Sequence, residues 1–282
     1  LFPFIVRTIF IKTLGEEYLG LNSLYSSVLQ VLNLADLGFA SAIVASMYKP
    51  IADNDIKKVS ALMALYKKLY KVIGFCILCV GLAITPFISV LISGEPPEDV
   101  NIYIVWLLYL ANTVVSYLFF AYKVSVINAH QRSDITEKIG AVCRILFSIL
   151  QIIVVAVFRN IYLYVFLTVI NSIAYNLWCA RECDKRYPQY VCSGELDKAT
   201  KSQITRNVEA LALQKIGNTV SISLDSIIIS AFLGLRIVAI YGNYYYIVSA
   251  VSTFINLIYG AITASIGNSI ATESLEKNYA DL

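Results

Sequence analysis

Long apolar segments, separated by short polar connections, run through the whole chain. A helix needs about 20 residues to cross the hydrocarbon core of a bilayer. Eight segments qualify, the first of them shortened by the start of the sequence: 1–13, 21–48, 70–92, 101–122, 139–158, 161–180, 210–234 and 237–270. Backbone groups in lipid need partners inside their own segment, and strand-like alternation is absent, so the pattern predicts helices. We therefore expect an all-α, polytopic membrane protein with about eight transmembrane helices.

The composition agrees with a lipid solvent. Hydrophobic residues make up 58% of the chain and charged residues 15%, whereas soluble domains contain roughly 45–50% and about 25%. A soluble protein this apolar has too few polar side chains to cover its surface. Membrane lipids are therefore the expected surroundings, and the small net charge of +3 gives no reason to expect a nucleic-acid partner.

The connections carry their Lys and Arg residues unevenly. Residues 49–71 hold six, 123–138 hold three and 181–215 hold seven, whereas the alternate connections hold three in all: Lys12, Arg159 and Arg236. Cytoplasmic connections are the ones enriched in Lys and Arg, so the distribution predicts a cytoplasmic N-terminus. Residues 55–68 either form an amphipathic lead-in at the inner leaflet or extend the third segment.

Polar side chains recur at helical spacing inside several apolar segments, and each series covers one face of a helix. The series are Asn22, Ser26, Gln30, Asn33 and Asp36; Arg144, Ser148 and Gln151; Gln214, Asn218, Ser221 and Asp225; and Ser249, Ser252, Asn256, Tyr259 and Thr263. Such stripes either line a hydrated cavity or hold helices together by hydrogen bonds. The cavity interpretation makes six amides candidates for contact with a polar substrate: Asn22, Gln30, Asn33, Gln151, Asn218 and Asn256.

Two carboxylates lie deep inside apolar segments. Asp36 is about 22 Å along its predicted helix from residue 21, at about 1.5 Å per residue, and Asp225 is comparably deep. A bare carboxylate at the bilayer centre costs about 2.5–3.5 kcal/mol, so each is expected to be protonated, paired or hydrated in a cavity. We interpret both as candidates for coupling to Na⁺ or H⁺, because the load of a carboxylate can differ between two conformational states.

Three cationic residues have two interpretations each. Arg7 and Arg144 lie five or six residues from the ends of their segments, close enough for the side chains to reach the headgroups. Alternatively, they present positive charge to an anionic substrate group, because the guanidinium fork matches phosphate oxygens. Lys215, at the cytoplasmic end of its segment, either holds a phosphate or is one more positive-inside lysine.

The end of the sequence repeats its beginning. "RTIFIKTLGEEYLGLNSLYSSVLQVLNLADLGFASAIVAS" and "DSIIISAFLGLRIVAIYGNYYYIVSAVSTFINLIYGAITAS" share a Leu-Gly, then an Asn with a two-residue slip, then a Gly followed by small residues. The second copy begins six segments after the first, so both copies run in the same direction, as in transporters built from parallel repeats. We expect a six-helix lobe over 1–200 and the first two helices of a second lobe over 201–282. Chance similarity between two apolar hairpins is the alternative.

Neither a cofactor site nor an active site is expected. Cys76 and Cys79 form a C-x-x-C inside an apolar run, where thiols serve as small packing residues. Cys179, Cys183 and Cys192 surround a charged connection, but the single histidine, His130, argues against zinc. No pattern resembles a nucleophile–base pair or a phosphate-cradling glycine loop, so an enzyme is not expected.

Four stretches are familiar: "YLGLNSLYSSVLQVLNLADLGFASAIVASMYKPIADND", "ALMALYKKLYKVIG", "QKIGNTVSISLDSIIISAFLGL" and "TASIGNSIATES". They closely resemble the bacterial polysaccharide flippases of the multidrug/oligosaccharidyl-lipid/polysaccharide exporter superfamily. The resemblance implies a MATE-like, two-lobe transporter of about 12 to 14 helices, of which this chain is an N-terminal fragment. It also implies that cationic cavity residues meet a diphosphate, a role for Arg7, Arg144 and Lys215.

The function implied by the resemblance is transfer of an undecaprenyl-diphosphate-linked oligosaccharide across the bacterial cytoplasmic membrane. The product serves O-antigen, capsule or exopolysaccharide synthesis, and polysaccharide polymerase or other assembly proteins are the expected partners. Alternating access of two lobes around a wet cavity is the expected mechanism. Two rivals stay open: a cation-coupled small-molecule antiporter of the same superfamily, and a membrane scaffold that transports nothing.

Overall fold

The computed structural model describes residues 2–36, 38–93, 96–97 and 99–272, and all its regular elements are helices. Side chains at 2, 3, 199, 210, 211, 213–215, 218, 220–222, 254 and 256–272 also lie outside the description. The α-helices are α1 (Phe2–Leu14), α2 (Glu16–Leu32), α3 (Phe39–Ala52), α4 (Ile56–Ile84), α5 (Ile102–Leu118), α6 (Ala121–Ala129), α7 (Ser133–Ile153), α8 (Ile161–Arg186), α9 (Lys198–Leu233) and α10 (Leu235–Thr272). Short 3₁₀ turns follow α2 and α4 (Asn33–Asp36 and Thr85–Leu91), and a π turn follows α7 (Val154–Phe158).

Four long helices begin at an Asn or Asp whose side chain accepts a hydrogen bond from a backbone N–H of the first turn. The four residues are Asp55, Asn101, Asn160 and Asp197. These caps satisfy N–H groups that have no acceptor within the helix. At α9, the hydroxyl and backbone N–H of Thr200 hold the pKa of the Asp197 carboxyl below its usual range. The polar connections of the sequence therefore also mark where the helices start.

The described residues contain three helices that are long and apolar enough to cross a membrane alone: Ile56–Leu91, Ser133–Phe158 and Ile161–Arg186. Two bent pairs, α2 with α3 at 42° and α5 with α6 at 51°, bring the number to five when each pair is counted as one span. The expected all-α, polytopic membrane architecture is confirmed. Residues 56–68 belong to the continuous helix α4, so they extend the third segment.

The core is centred on α5, which packs against α4 on one side and α8 on the other. Trp106 of α5 is fully buried, and its Nε1 donates to the carbonyl of Gly81 at 3.2 Å and to Thr85 Oγ1 at 3.0 Å. Tyr25 of α2 is also fully buried and donates to the carbonyl of Ile102 at 2.8 Å. The two rings meet edge to face at 5.5 Å, an arrangement that adds to the energy of burial.

The repeated Leu-Gly marks the same kind of junction twice. Gly15 joins α1 to α2 and Gly234 joins α9 to α10, each as a single residue with positive φ (113° and 84°) and a ψ of 171°. The N–H of each glycine donates to the carbonyl four residues earlier, Ile11 in the first copy and Ser230 in the second. L-residues rarely adopt this backbone, which explains why both copies hold glycine.

The two junctions also touch each other. A Cβ on Gly20 of α2 would overlap the carbonyl oxygen of Leu235, at the start of α10. Nearby, the Arg236 guanidinium pairs with Glu16 at 3.1 Å. Residues 220 positions apart are thus brought together. Contacts group the chain into one compact unit over 1–239 and another over 240–282; the lobe boundary near residue 200 remains a prediction.

We expect Gly20→Ala to lower the melting temperature of the protein in detergent, because backbone must move to admit the methyl group. Overpacking of this kind costs about 1–3 kcal/mol. Gly217→Ala is the matched control, since Gly217 is also helical and a Cβ there has no neighbour within 4 Å among the described atoms. It should leave the melting temperature unchanged or raise it, as Gly→Ala inside a helix gains about 1 kcal/mol. Equal behaviour of the two variants would contradict the close approach of α2 to Leu235.

Candidate functional site

A cavity of about 510 Å³ lies between α3, α4, α6 and α8. Its lining combines four tyrosines, four small polar residues and four small apolar ones: Tyr48, Tyr66, Tyr70, Tyr175, Ser41, Ser125, Asn128, Asn176, Ala40, Val44, Ala121 and Val124. None of these twelve described residues carries a charge. The lining runs along α3 from Ala40 to Tyr48 and along α6 from Ala121 to Asn128. Its volume and mixed lining are typical of a small-molecule site.

Two membrane segments break beside this cavity. In the first, α3 begins after Gly38, which has a φ of 83°, and in the second, α6 begins after Phe120, which has a φ of 57°. A bulky residue with positive φ is uncommon and marks a strained backbone. The first turns of both half-helices, at Ala40 and Ala121, line the cavity. The positive dipole ends of both half-helices therefore lie beside a polar space, as in the broken helices of transporters.

Tyrosine hydroxyls of neighbouring helices hydrogen-bond the 3₁₀ turn that precedes the first break. Tyr70 of α4 donates to Asp36 Oδ1 at 3.0 Å, and Tyr117 of α5 donates to Asn33 Oδ1 at 3.2 Å. The Tyr70 ring also stacks on Tyr66 with 4.2 Å between centroids. Asp36 is 7% exposed, so the predicted deep carboxylate is buried and paired. It lies directly behind Tyr70, which lines the cavity.

A smaller pocket of about 210 Å³ adjoins the cavity at Tyr175. Arg144, Glu137 and Asn171 belong to its lining. The Arg144 guanidinium pairs with Glu137 at 3.4 Å, and both side chains are well exposed. The buried Oδ1 of Asn171 accepts no hydrogen bond within the described part of the chain. This pocket therefore offers charge, which the larger cavity lacks.

The family model for "Polysaccharide biosynthesis protein" matches residues 1–263. The chain belongs to this family. The resemblance to polysaccharide flippases is thereby confirmed. No curated protein and no solved structure matches the chain.

The three cationic residues predicted to contact a diphosphate do not lie together in the structure. Arg144 lines the smaller pocket, whereas Arg7 is half-buried on α1. Lys215 lies outside the described side chains. Contact of these residues with a diphosphate stays a prediction, and in the described part of the chain only Arg144 adjoins the neutral cavity.

The predicted amides lie in several places. Asn22 Oδ1 accepts from Tyr109 at 2.7 Å, and Gln151 Nε2 donates to Thr168 Oγ1 at 3.0 Å, so both join neighbouring helices. Gln30 and Asp225 are exposed on α2 and α9. The side chains of Asn218 and Asn256 lie outside the description. The substrate contacts predicted for these residues, and the coupling role of Asp225, stay predictions.

The residues that form the cavity wall were missed by the sequence analysis. Tyrosines were counted as part of the apolar background, although the chain holds 20 of them. Asn176 was missed although Thr168, Ser172 and Asn176 follow one another at spacings of four in its segment. A search for tyrosine side chains one turn apart, as at Tyr66 and Tyr70, could have detected part of the wall.

If the cavity is hydrated, a cysteine introduced at Ser41 should react quickly with a charged, membrane-impermeant thiol reagent. We expect the rate to exceed that of Leu146→Cys by at least about tenfold, because the reactive thiolate forms only where water or polar groups stabilise it. Leu146 is the control because it is 53% exposed on an apolar helix face. Cys76, Cys79 and Cys192, the described cysteines that are not buried, are replaced by serine first.

Equal, slow reaction at both positions would show that the cavity is closed to water. It would favour the interpretation of the polar residues as helix–helix contacts. Labelling in intact cells and in inside-out vesicles also reports which side of the membrane the cavity faces.

Proposed function

We propose that the protein is part of a flippase that moves an undecaprenyl-diphosphate-linked oligosaccharide across the bacterial cytoplasmic membrane. The observation that carries the proposal is the uncharged, polar and aromatic cavity between membrane helices of a chain in the polysaccharide biosynthesis family. A polar saccharide needs such a shelter to cross hydrocarbon, whereas a polyprenyl tail can stay in lipid. A cavity without acidic lining is poorly suited to a cationic drug, which argues against the small-molecule antiporter.

The proposed mechanism is alternating access. The cavity would load the saccharide from the cytoplasmic side, and a rocking motion of two lobes would expose it to the other side. The breaks at Gly38 and Phe120 lie at the cavity wall, where half-helices can change direction without leaving backbone groups in lipid. Arg144 would hold the diphosphate from the adjoining pocket, because a guanidinium fork matches phosphate oxygens.

Complementation of a bacterial strain that lacks its own flippase tests the proposal, with the full-length gene and surface polysaccharide as the readout. Wild type should restore the polysaccharide, and Arg144→Ala should reduce it severalfold by removing a contact to the diphosphate. Arg186→Ala is a matched control, since Arg186 likewise pairs with a glutamate of its own helix, Glu182 at 3.1 Å. It should complement as wild type does.

Two results would contradict the proposal. The full-length wild type could be expressed normally, in a flippase-deficient strain that makes the saccharide native to this protein, and still fail to restore the polysaccharide. This result would contradict the flippase function. Full activity of Arg144→Ala would remove the diphosphate contact and favour a transporter that has no anionic substrate.

Ion coupling is a separate prediction for Asp36. We expect transport in proteoliposomes to depend on a Na⁺ or H⁺ gradient, and Asp36→Asn to abolish this dependence. The asparagine can still accept the hydrogen bond of Tyr70, so the change removes charge with little change in shape. Flux that ignores both gradients in wild type would exclude the coupling role while leaving the flippase function intact.

A further inference from the structure

Asn176 is a buried amide whose hydrogen bonds are unmade. It lies on α8, is 6% exposed and lines the 510 Å³ cavity. Its side chain makes no hydrogen bond within the part of the chain that the structure describes. The other amide of the lining, Asn128, accepts from Thr136 at 3.1 Å. Asn176 is not among the described residues whose polar atoms are both fully buried and without a partner, so its amide reaches the cavity and is available to hydrogen-bond a ligand there.

The walls around Asn176 specify the chemistry of that ligand. Tyr48 is 46% exposed at the cavity edge, while Tyr66 and Tyr70 present buried, stacked rings. Tyrosine combines an apolar face with a polar edge, which suits a molecule whose C–H faces alternate with hydroxyl groups. The lack of charge among the twelve lining residues disfavours an ionised ligand group, because no wall charge would offset its desolvation.

We propose that this cavity is the saccharide-binding site, with Asn176 as the hydrogen-bonding group and the Tyr48 ring as a stacking platform. The inference rests on the proposed function and deepens it, since it names the residues that would contact the sugar. The amide of Asn176 offers one acceptor and two donors, which match a pair of neighbouring sugar hydroxyls. The free N–H groups in the first turn of α3, beside Ser41, supply further donors to sugar oxygens.

The role proposed for Asn176 predicts how its substitution changes the melting temperature. Asn176→Leu replaces an unpartnered amide by an apolar side chain of similar size, so it should leave the melting temperature unchanged or raise it. The matched control is Asn112→Leu on α5, because Asn112 accepts a hydrogen bond from Ser172 at 2.7 Å and does not line the cavity. That change should lower the melting temperature.

The test measures binding by the full-length protein in nanodiscs with two radiolabelled probes. One is undecaprenyl diphosphate, and the other is the undecaprenyl-diphosphate-linked saccharide extracted from the strain that carries the gene. Wild type should bind the saccharide-bearing lipid at least about tenfold more tightly than the bare lipid. Asn176→Leu should lose about tenfold of this preference and keep its affinity for the bare lipid, since one well-made hydrogen bond to a buried group accounts for such a factor.

Tyr48→Ala provides a second variant that should fold, because the side chain is half exposed. It should also reduce the preference for the saccharide severalfold, whereas Asn112→Leu should retain it. An unchanged preference in both Asn176→Leu and Tyr48→Ala would overturn the saccharide site. Equal affinity of wild type for the two lipids would do the same. Binding of neither lipid by wild type would instead contradict the proposed function itself.

Discussion

Backbone N–H and C=O groups in the hydrocarbon core of a bilayer must find partners within the protein, because no water is present to bind them. The long helices meet this requirement, and the first turns of four of them are capped by Asn or Asp side chains. Two membrane segments depart from it, at Gly38 and at Phe120. Both departures lie at the wall of the same cavity. The helix breaks and the polar cavity thus occur together in the structure.

The same constraint explains how charge is distributed around that space. Asp36 lies next to a break but is fastened behind Tyr70, so the cavity wall itself stays neutral. Arg144 and Glu137 occupy the adjoining pocket, where both side chains are exposed. Separation of a neutral cavity from a charged pocket fits a substrate that is itself divided into a neutral saccharide and an anionic diphosphate.

The sequence predicted an all-α membrane protein because the apolar length of a spanning helix is a direct consequence of bilayer thickness. It placed uninterrupted segments over 21–48 and 101–122, where the structure has breaks at Gly38 and Phe120. It also predicted the Leu-Gly repeat, which the structure shows as two single-residue junctions of nearly equal backbone geometry, Gly15 and Gly234. The cavity could not be predicted in the same way. Polarity alone does not distinguish Asn22, which bonds a neighbouring helix, from Asn176, which bonds nothing among the described residues. That difference depends on which helices are neighbours, and periodicity along one segment carries no such information.

Hydrogen–deuterium exchange of the full-length protein in nanodiscs tests the central claim that the helix breaks line a wet cavity. Backbone amides over 38–42 and 119–123 should exchange at least about tenfold faster than those over 142–150 of α7, because only the former can reach water while the protein stays folded. Protection of the two breaks equal to that of α7 would mean that they are sealed within protein or lipid. The cavity would then lack the water on which the transport account depends.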